Sequence, residues 1–289
     1  MSTQTRPAPA AARSDAAVPV LELTGACLAF GARTLWHDLD LAVRPGEFIA
    51  VLGANGSGKS SLLRAILGQQ ELTSGSVRVA GRPVRRGSRR VGYVPQRIAI
   101  DPVTALRARD LVRLGLDGHH WGPGIFGARR ARRIVGELLE SVGATAFADA
   151  PVSVLSGGEL QRVRIAEALA GDPSLLLCDE PLAALDLAQA QSVVSLLDAR
   201  RRERGTAVLF VTHDINAVLG AADRVLYLAA GRFRLGTPDE VLTSAGMTAL
   251  YGAPVDVFHT QGRVIVVAAT DPGAGLHDHH HEPAAEESL

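Results

Sequence analysis

The stretch FIAVLGANGSGKSSLLRAILG, residues 48–68, constrains the fold more than any other part of the chain. FIAVL (48–52) is a short, unbroken apolar run of the kind that forms a strand buried on both faces. SSLLRAILG then places Leu62, Leu63, Ile66 and Leu67 on one helical face and stops at Gly68. Between them lies GANGSGKS, Gly53 to Ser60, which fits the spacing G-x-x-x-x-G-K-[ST]. Glycines let successive backbone N–H groups turn inward around phosphate oxygens, and the N-terminus of the next helix adds positive potential. Lys59 can then reach the β- and γ-phosphates, and the Ser60 hydroxyl can ligate Mg²⁺. The bland alternative is an ordinary Gly-rich turn, and the complete pattern between strand and helix outweighs it.

A second half-site lies downstream. LLLC (175–178) follows the Asp172-Pro173 break and ends in Asp179 and Glu180, and AVLFVT (207–212) is a further buried-strand run. Two carboxylates at the C-terminal edge of a sheet stand where open α/β sheets bind ligands. One can hold Mg²⁺ through water while the next polarises an attacking water. An isolated Asp-Glu pair is more often a solvated surface pair, and the buried strand and upstream phosphate loop reverse that preference.

Around these motifs the chain reads as an α/β protein with a largely parallel sheet covered by helices. Its start differs: Val20 to Phe30 and Leu35 to Val43 look like antiparallel strands closed by an RPGE turn. Residues 103 to 170 are mostly helical in pattern, interrupted by GHHWGPG. Residues 1–18, rich in Ala and Pro, are expected to be a disordered leader, and 270–289 a disordered His-rich tail. Thirty basic side chains balance thirty acidic ones, so no global charge argues for nucleic acid as a partner. The two cysteines, Cys27 and Cys178, suggest no disulfide framework, and a reducing compartment fits. No apolar stretch approaches the ~18 residues of a spanning helix, nor is there the apolar core of a secretory signal. The expectation is a cytoplasmic protein whose membrane role, if it has one, comes through a partner.

LSGGELQ, Leu155 to Gln161, resembles the signature motif of ATP-binding cassette (ABC) ATPases and lies just before the Asp179–Glu180 strand, as in that family. VGYVPQ supplies Gln96 at the family's Q-loop position, VTHD supplies His213 as its switch histidine, and AALD, Ala183 to Asp186, matches its D-loop. Phe30 matches the aromatic that stacks on adenine, where Tyr is commoner. The resemblance covers roughly residues 20 to 270. It implies a P-loop NTPase (RecA-like) core with an antiparallel β-subdomain and an α-helical signature subdomain. The ATPase domain would span 19–269, with the helical subdomain about 98–165 and a short C-terminal extension about 236–269.

The resemblance also implies roles. Phe30, Gly53, Ala54, Asn55, Gly56, Ser57, Gly58, Lys59, Ser60 and Ser61 would bind ATP. Ser60, Gln96 and Asp179 would hold Mg²⁺, and Glu180, His213, Gln96 and Lys59 would be the catalytic set. Two cassettes would sandwich two ATP molecules head to tail, so that Leu155, Ser156, Gly157, Gly158 and Glu159 of one chain complete the site of the other. Ala183, Ala184, Leu185 and Asp186 would couple the two sites. Leu182 and Ala183 replace the Thr and Ser common in the D-loop, and Glu167 stands where Arg is frequent.

A single cassette without fused spanning helices implies the energy-coupling subunit of a membrane importer. It would sit at the cytoplasmic face of the membrane with separate permease subunits and an extracytoplasmic substrate-binding protein. The alternatives are an exporter ATPase and a soluble cassette acting on ribosomes or DNA. ARRARR (128–133) is either a permease- or lipid-facing run or a solvated helix face. The stretch 247–267 reads as a helix end followed by two alternating strands and resembles the extension of metal and iron–siderophore importers. The cargo expected is zinc, then manganese, with an iron–siderophore or heme as the alternative. Near the end, HDHHHE gathers His277, His279, His280 and His281, side chains that suit zinc, copper or nickel. Both readings of it stay open, a solvated low-complexity end and a tail that senses or buffers zinc.

Overall fold

The computed structural model describes residues 18–96, 106–117, 128–183 and 185–268. The chain opens with β1 (Leu21–Phe30) and β2 (Arg33–Val43), paired antiparallel with Leu21 against Val43 and Phe30 against Arg33. β3 (Phe48–Gly53) follows and runs through the glycine loop into α1 (Lys59–Ile66). β4 (Ser74–Val79) and β5 (Arg82–Pro83) return to the first hairpin, making an antiparallel sheet of order β2-β1-β4-β5. β6 (Val91–Val94) enters a second sheet. Then come α2 (Ala108–Asp117), α3 (Ala128–Ser141) and α4 (Gly157–Leu169), with single 3₁₀ turns at Thr145–Phe147 and Val152–Val154.

β7 (Leu175–Asp179), α5 (Leu187–Arg204) and β8 (Ala207–Val211) complete the parallel core. β9 (Arg224–Ala229) and β10 (Arg232–Gly236) form its far edge. α6 (Pro238–Val241), α7 (Ser244–Tyr251) and the hairpin β11 (Val255–Thr260) and β12 (Arg263–Ala268) follow. The six-stranded order is β10-β9-β3-β8-β7-β6, parallel except for β10. β3, β7 and β8 therefore end side by side at one edge of the sheet, and their C-terminal residues share one surface.

β3 divides the core. Phe48, Ala50 and Leu52 join the cluster under the helices, while Ile49 and Val51 join Trp36, Leu39 and Leu41 beneath the antiparallel sheet. Phe48 stacks on Phe210 of β8 with ring centroids 5.6 Å apart, a contact worth about 0.5–1.5 kcal/mol beyond burial. α4 lies close to its neighbours because two glycines permit it. A Cβ at Gly92 of β6 would strike the Ala168 carbonyl, and one at Gly115 of α2 the Glu167 carbonyl.

The antiparallel start, the strands at 48–52, 175–178 and 207–212, and the helix–hairpin ending match expectation. α1 closes at Ile66, and Gly68 takes the left-handed φ of 68° just beyond it. Cys27 and Cys178 are free thiols, and burial pushes the Cys178 thiol up. α3 turns Arg129, Arg130, Arg132 and Arg133 outward and buries Ala131, Val135 and Leu139, so the basic run is the exposed side of an amphipathic helix. Among the described residues no helix is long and apolar enough to cross a membrane. GHHWGPG, Ala184 and the histidines of 277–281 lie outside the described residues.

Candidate active site

The loop from β3 to α1 uses backbone conformations that glycine adopts at least cost. Gly53, Gly56 and Gly58 have φ of 146°, 76° and 99°. A Cβ at Gly53 would collide with the Leu228 carbonyl of β9, and one at Gly58 would lie 2.8 Å from Trp36 Nε1 of β2. The loop is thus walled by β9 on one side and β2 on the other. α1 carries neither a side-chain cap nor an acidic residue in its first turn, which leaves its leading N–H groups to an anion. Ser57 Oγ is buried with no partner. Lys59 is buried and donates from Nζ to the carbonyls of Gly53 (2.7 Å) and Ala54 (3.1 Å). Burial lowers its pKa, while Glu180 and Asp179 pull it back up.

β7 brings the two carboxylates opposite this loop. Asp179 is buried although it ends its strand, because it pairs with Val211 of β8 and Tyr93 of β6 covers it. Its Oδ1 accepts from Ser60 Oγ and its Oδ2 from the Tyr93 hydroxyl, both at 3.4 Å. Burial raises its carboxyl pKa against those two hydrogen bonds, and the neighbouring Glu180 adds to the rise. The Tyr93 phenol is pushed up to about 12 by burial and by Asp179. Ser60 and Asp179 form a compact oxygen donor pair with a carboxylate that pays for its desolvation, an arrangement suited to a hard cation such as Mg²⁺.

Glu180 is placed differently. Its φ is 47°, left-handed for a non-glycine residue, and its N–H donates to the Val211 carbonyl at 3.0 Å. Such a backbone costs of order 1–3 kcal/mol and persists where surrounding contacts over-determine it. Gln96 Nε2 donates to Glu180 Oε2 at 2.8 Å, and His213 Nδ1, just past β8, lies 3.6 Å from the same oxygen. A cavity of ≈ 660 Å³ opens here, lined by Asn55, Gly56, Lys59, Ser60, Gln96, Glu180 and His213 among others. Residues from four separate motifs thus converge on one space.

Other residues singled out from the sequence stand apart. Phe30 ends β1 half exposed, outside that lining. Leu155 precedes α4, and Ser156 is its N-cap: the Ser156 side chain accepts from Glu159 N, and Glu159 Oε2 accepts from Ser156 N at 2.9 Å. The Ser156 N–H and hydroxyl, both donating to Glu159 Oε2, hold the Glu159 carboxyl below its usual pKa. Gly157 and Gly158 open the helix, and none of residues 155–159 is among those that line the cavity. Ala183 and Leu185 lie in turns after Glu180, while Asp186 caps α5 by accepting from Gln189 N at 2.8 Å. Glu167 is partly buried beside Arg164, and burial raises its carboxyl.

Sequence reasoning missed Arg33, whose Nη2 donates to the Gly56 carbonyl at 2.8 Å, and Leu35, which lines the cavity. It also missed Tyr93, although VGYVPQ contains it. The parallel register of Tyr93 with Leu177, which brings its hydroxyl to Asp179, emerges only once β6 and β7 pair.

The profile of the ABC transporter family matches residues 36–183. The zinc transport system ATP-binding protein TroB of Treponema pallidum (strain Nichols) is 40% identical over 242 residues, covering 83% of this chain and 88% of that protein. Among solved structures, a metal-chelate-type ABC transporter in an inward-facing conformation matches with a TM-score of 0.72 at 29% identity. That match covers 86% of this chain and 96% of the other. A dimeric ATP-binding cassette in a post-hydrolysis state with ADP and phosphate matches with a TM-score of 0.66 at 29% identity, covering 75% and 98%.

Proposed function

Because this chain belongs to the ABC transporter family as an ATP-hydrolysing subunit, we propose that it works as a nucleotide-dependent homodimer that powers zinc import through separate permease subunits. The observation that carries the catalytic reading is the placement of Glu180 on a left-handed backbone, against Gln96 and His213, at the mouth of the phosphate-loop cavity.

ATP phosphates seat on the N–H groups of Gly53–Ser60 and the first turn of α1. Lys59 leaves the Gly53 and Ala54 carbonyls for phosphate oxygens, exchanging neutral acceptors for charged ones. Phe30 stacks on the adenine. Ser60, Asp179 and Gln96 are the residues that would hold Mg²⁺, which when bound neutralises charge on the β- and γ-phosphates. Glu180 accepts a proton from a water as that water's oxygen bonds to the γ-phosphorus and the bond to the β–γ bridging oxygen breaks. ADP and phosphate result. His213 contacts the γ-phosphate and orders the attack. Charge uncovered on the far side is met by Ser156, Gly157 and Gly158 of the second copy, a reading supported by an α4 N-terminus that lines no part of its own chain's cavity.

Zinc as cargo is supported by the name of the Treponema relative and by the helix–hairpin extension α7–β11–β12. The metal-chelate transporter among the structural matches favours one second reading, an iron–siderophore or heme importer. The subunit would sit at the cytoplasmic face of the membrane, held by its permease and served by an extracytoplasmic binding protein. Growth and zinc uptake of a deletion strain under graded chelation test the cargo. Zinc uptake should fall and return with the wild-type chain but not with Glu180→Gln. Unchanged zinc uptake alongside lost siderophore or heme uptake would favour the second reading.

A further inference from the structure

His213 is held loosely by its own surroundings. Its side chain is 67% exposed, and its ring nitrogen stands 3.6 Å from Glu180. Where its imidazole points therefore depends on the backbone around it. At one end that backbone is anchored in the sheet, since Thr212 N donates to the Val51 carbonyl at 3.2 Å. Thr212 Oγ1 then accepts from Asp214 N at 3.1 Å, and Asp214 Oδ1 accepts from Asn216 N at 2.9 Å.

Asn216 carries the anchor out of the catalytic core. Its Nδ2 donates to the Val264 carbonyl at 3.0 Å, and its Oδ1 accepts from Val264 N at 2.8 Å. One side chain thus satisfies both backbone groups of a β12 residue, the pairing that a neighbouring strand would otherwise supply. Val264 and Ile215 are buried in the same cluster, so packing reinforces the link. The hairpin is itself tied to α7: Val257 N donates to Ser244 Oγ at 2.9 Å and Val255 N to Thr248 Oγ1 at 3.0 Å. α7 ends at Tyr251, whose hydroxyl meets that of Tyr227 at 2.9 Å and which borders a cavity beside Asn55 and Gly56. The C-terminal extension therefore reaches the nucleotide loops at two points, the switch segment and the glycine loop.

We propose that Asn216 is a positioning residue for His213, and that through it the α7–β11–β12 extension sets the rate of γ-phosphate cleavage. The inference rests on the reading of His213 as the γ-phosphate contact. An asparagine that served only to attach the hairpin would act on stability, and its loss would slow the enzyme equally with or without the His213 ring.

The test is steady-state ATPase and ATP-analogue affinity of the full chain in four forms: wild type, Asn216→Leu, His213→Ala and the double variant. Asn216→Leu is expected to lower kcat about tenfold, with ATP-analogue affinity within about twofold of wild type. In the His213→Ala background the same change should have no further effect, which marks the two residues as one unit. Asn216→Asp keeps the acceptor for Val264 N but sets a carboxylate oxygen against the Val264 carbonyl, so its kcat should also fall below wild type, and it serves if the leucine variant does not fold. Wild-type turnover in both Asn216 variants, or an equal loss in the His213→Ala background, would overturn the inference while leaving the role of His213 intact. Wild-type turnover in His213→Ala would instead overturn the reading of His213, and the inference with it.

Discussion

Asp179 and Glu180 are adjacent, yet the fold treats them in opposite ways. Asp179 is buried among Ser60 and Tyr93, while Glu180 is turned toward the cavity by a left-handed backbone. Burial holds the Asp179 carboxyl above its ordinary range. Between the ordinary value and the raised one, the folded chain keeps a proton that the unfolded chain has lost. Stability therefore falls as pH rises through that window and stays lower above it. Asp179→Asn removes this cost. It is expected to raise the melting temperature of the nucleotide-free protein at neutral pH and to flatten this part of its pH dependence. ATPase activity should drop on the order of a hundredfold, since a charged ligand for the cation is gone. Calorimetry across pH beside an ATPase assay checks both halves. At this scale most of the site was legible, because Gly53–Ser60, Asp179–Glu180 and His213 sit in local patterns tied to strand ends. Arg33 and Tyr93 were not, because what they touch is decided by tertiary pairing.

Among the elements, α4 shows how a helix can carry a motif and a packing constraint together. Its N-terminus is closed by the reciprocal bonds of Ser156 and Glu159, a pattern visible as S-x-x-E inside LSGGE. Its C-terminal half is approached so closely by α2 that a Cβ at Gly115 would strike the Glu167 carbonyl. Gly115→Val should force the two helices apart and cost about 1–3 kcal/mol, measurable by denaturant unfolding, with the phosphate loop left in place. The short strands β6, β9 and β10 were among the elements that sequence reasoning overlooked, with β4, β5 and α5. Val91–Val94 is only four residues and contains a glycine, and β10 alternates arginine with apolar residues at an open edge. Whether such runs become strands depends on partners far away in the chain: β9 lies against β3, and β6 against β7. The long apolar runs of β3, β7 and β8 needed no such help, since a strand buried on both faces is apolar along its whole length.

For the molecule as a whole, one sheet edge gathers the phosphate loop, Asp179, Glu180 and His213, while the N-terminus of α4 lines no part of that cavity. That division suits the proposed head-to-tail pair of chains, in which each would supply one half of two sites and ATP would close the pair. Cargo was legible only through the resemblance of the C-terminal extension and the His-rich run at 277–282, since nothing in the catalytic core distinguishes one transported ion from another. If the histidines of 277–282 report zinc to the transporter, deleting those six residues should leave uptake intact and abolish its repression by excess zinc. Zinc uptake measured at rising external zinc decides this.

The most direct test of the central claim is ATP turnover and sedimentation of Glu180→Gln with Mg²⁺ and ATP. The account expects turnover to fall at least about a thousandfold while ATP still binds, so that the variant accumulates as an ATP-bound dimer. A Glu180→Gln chain that stays monomeric and hydrolyses ATP at the wild-type rate would contradict it.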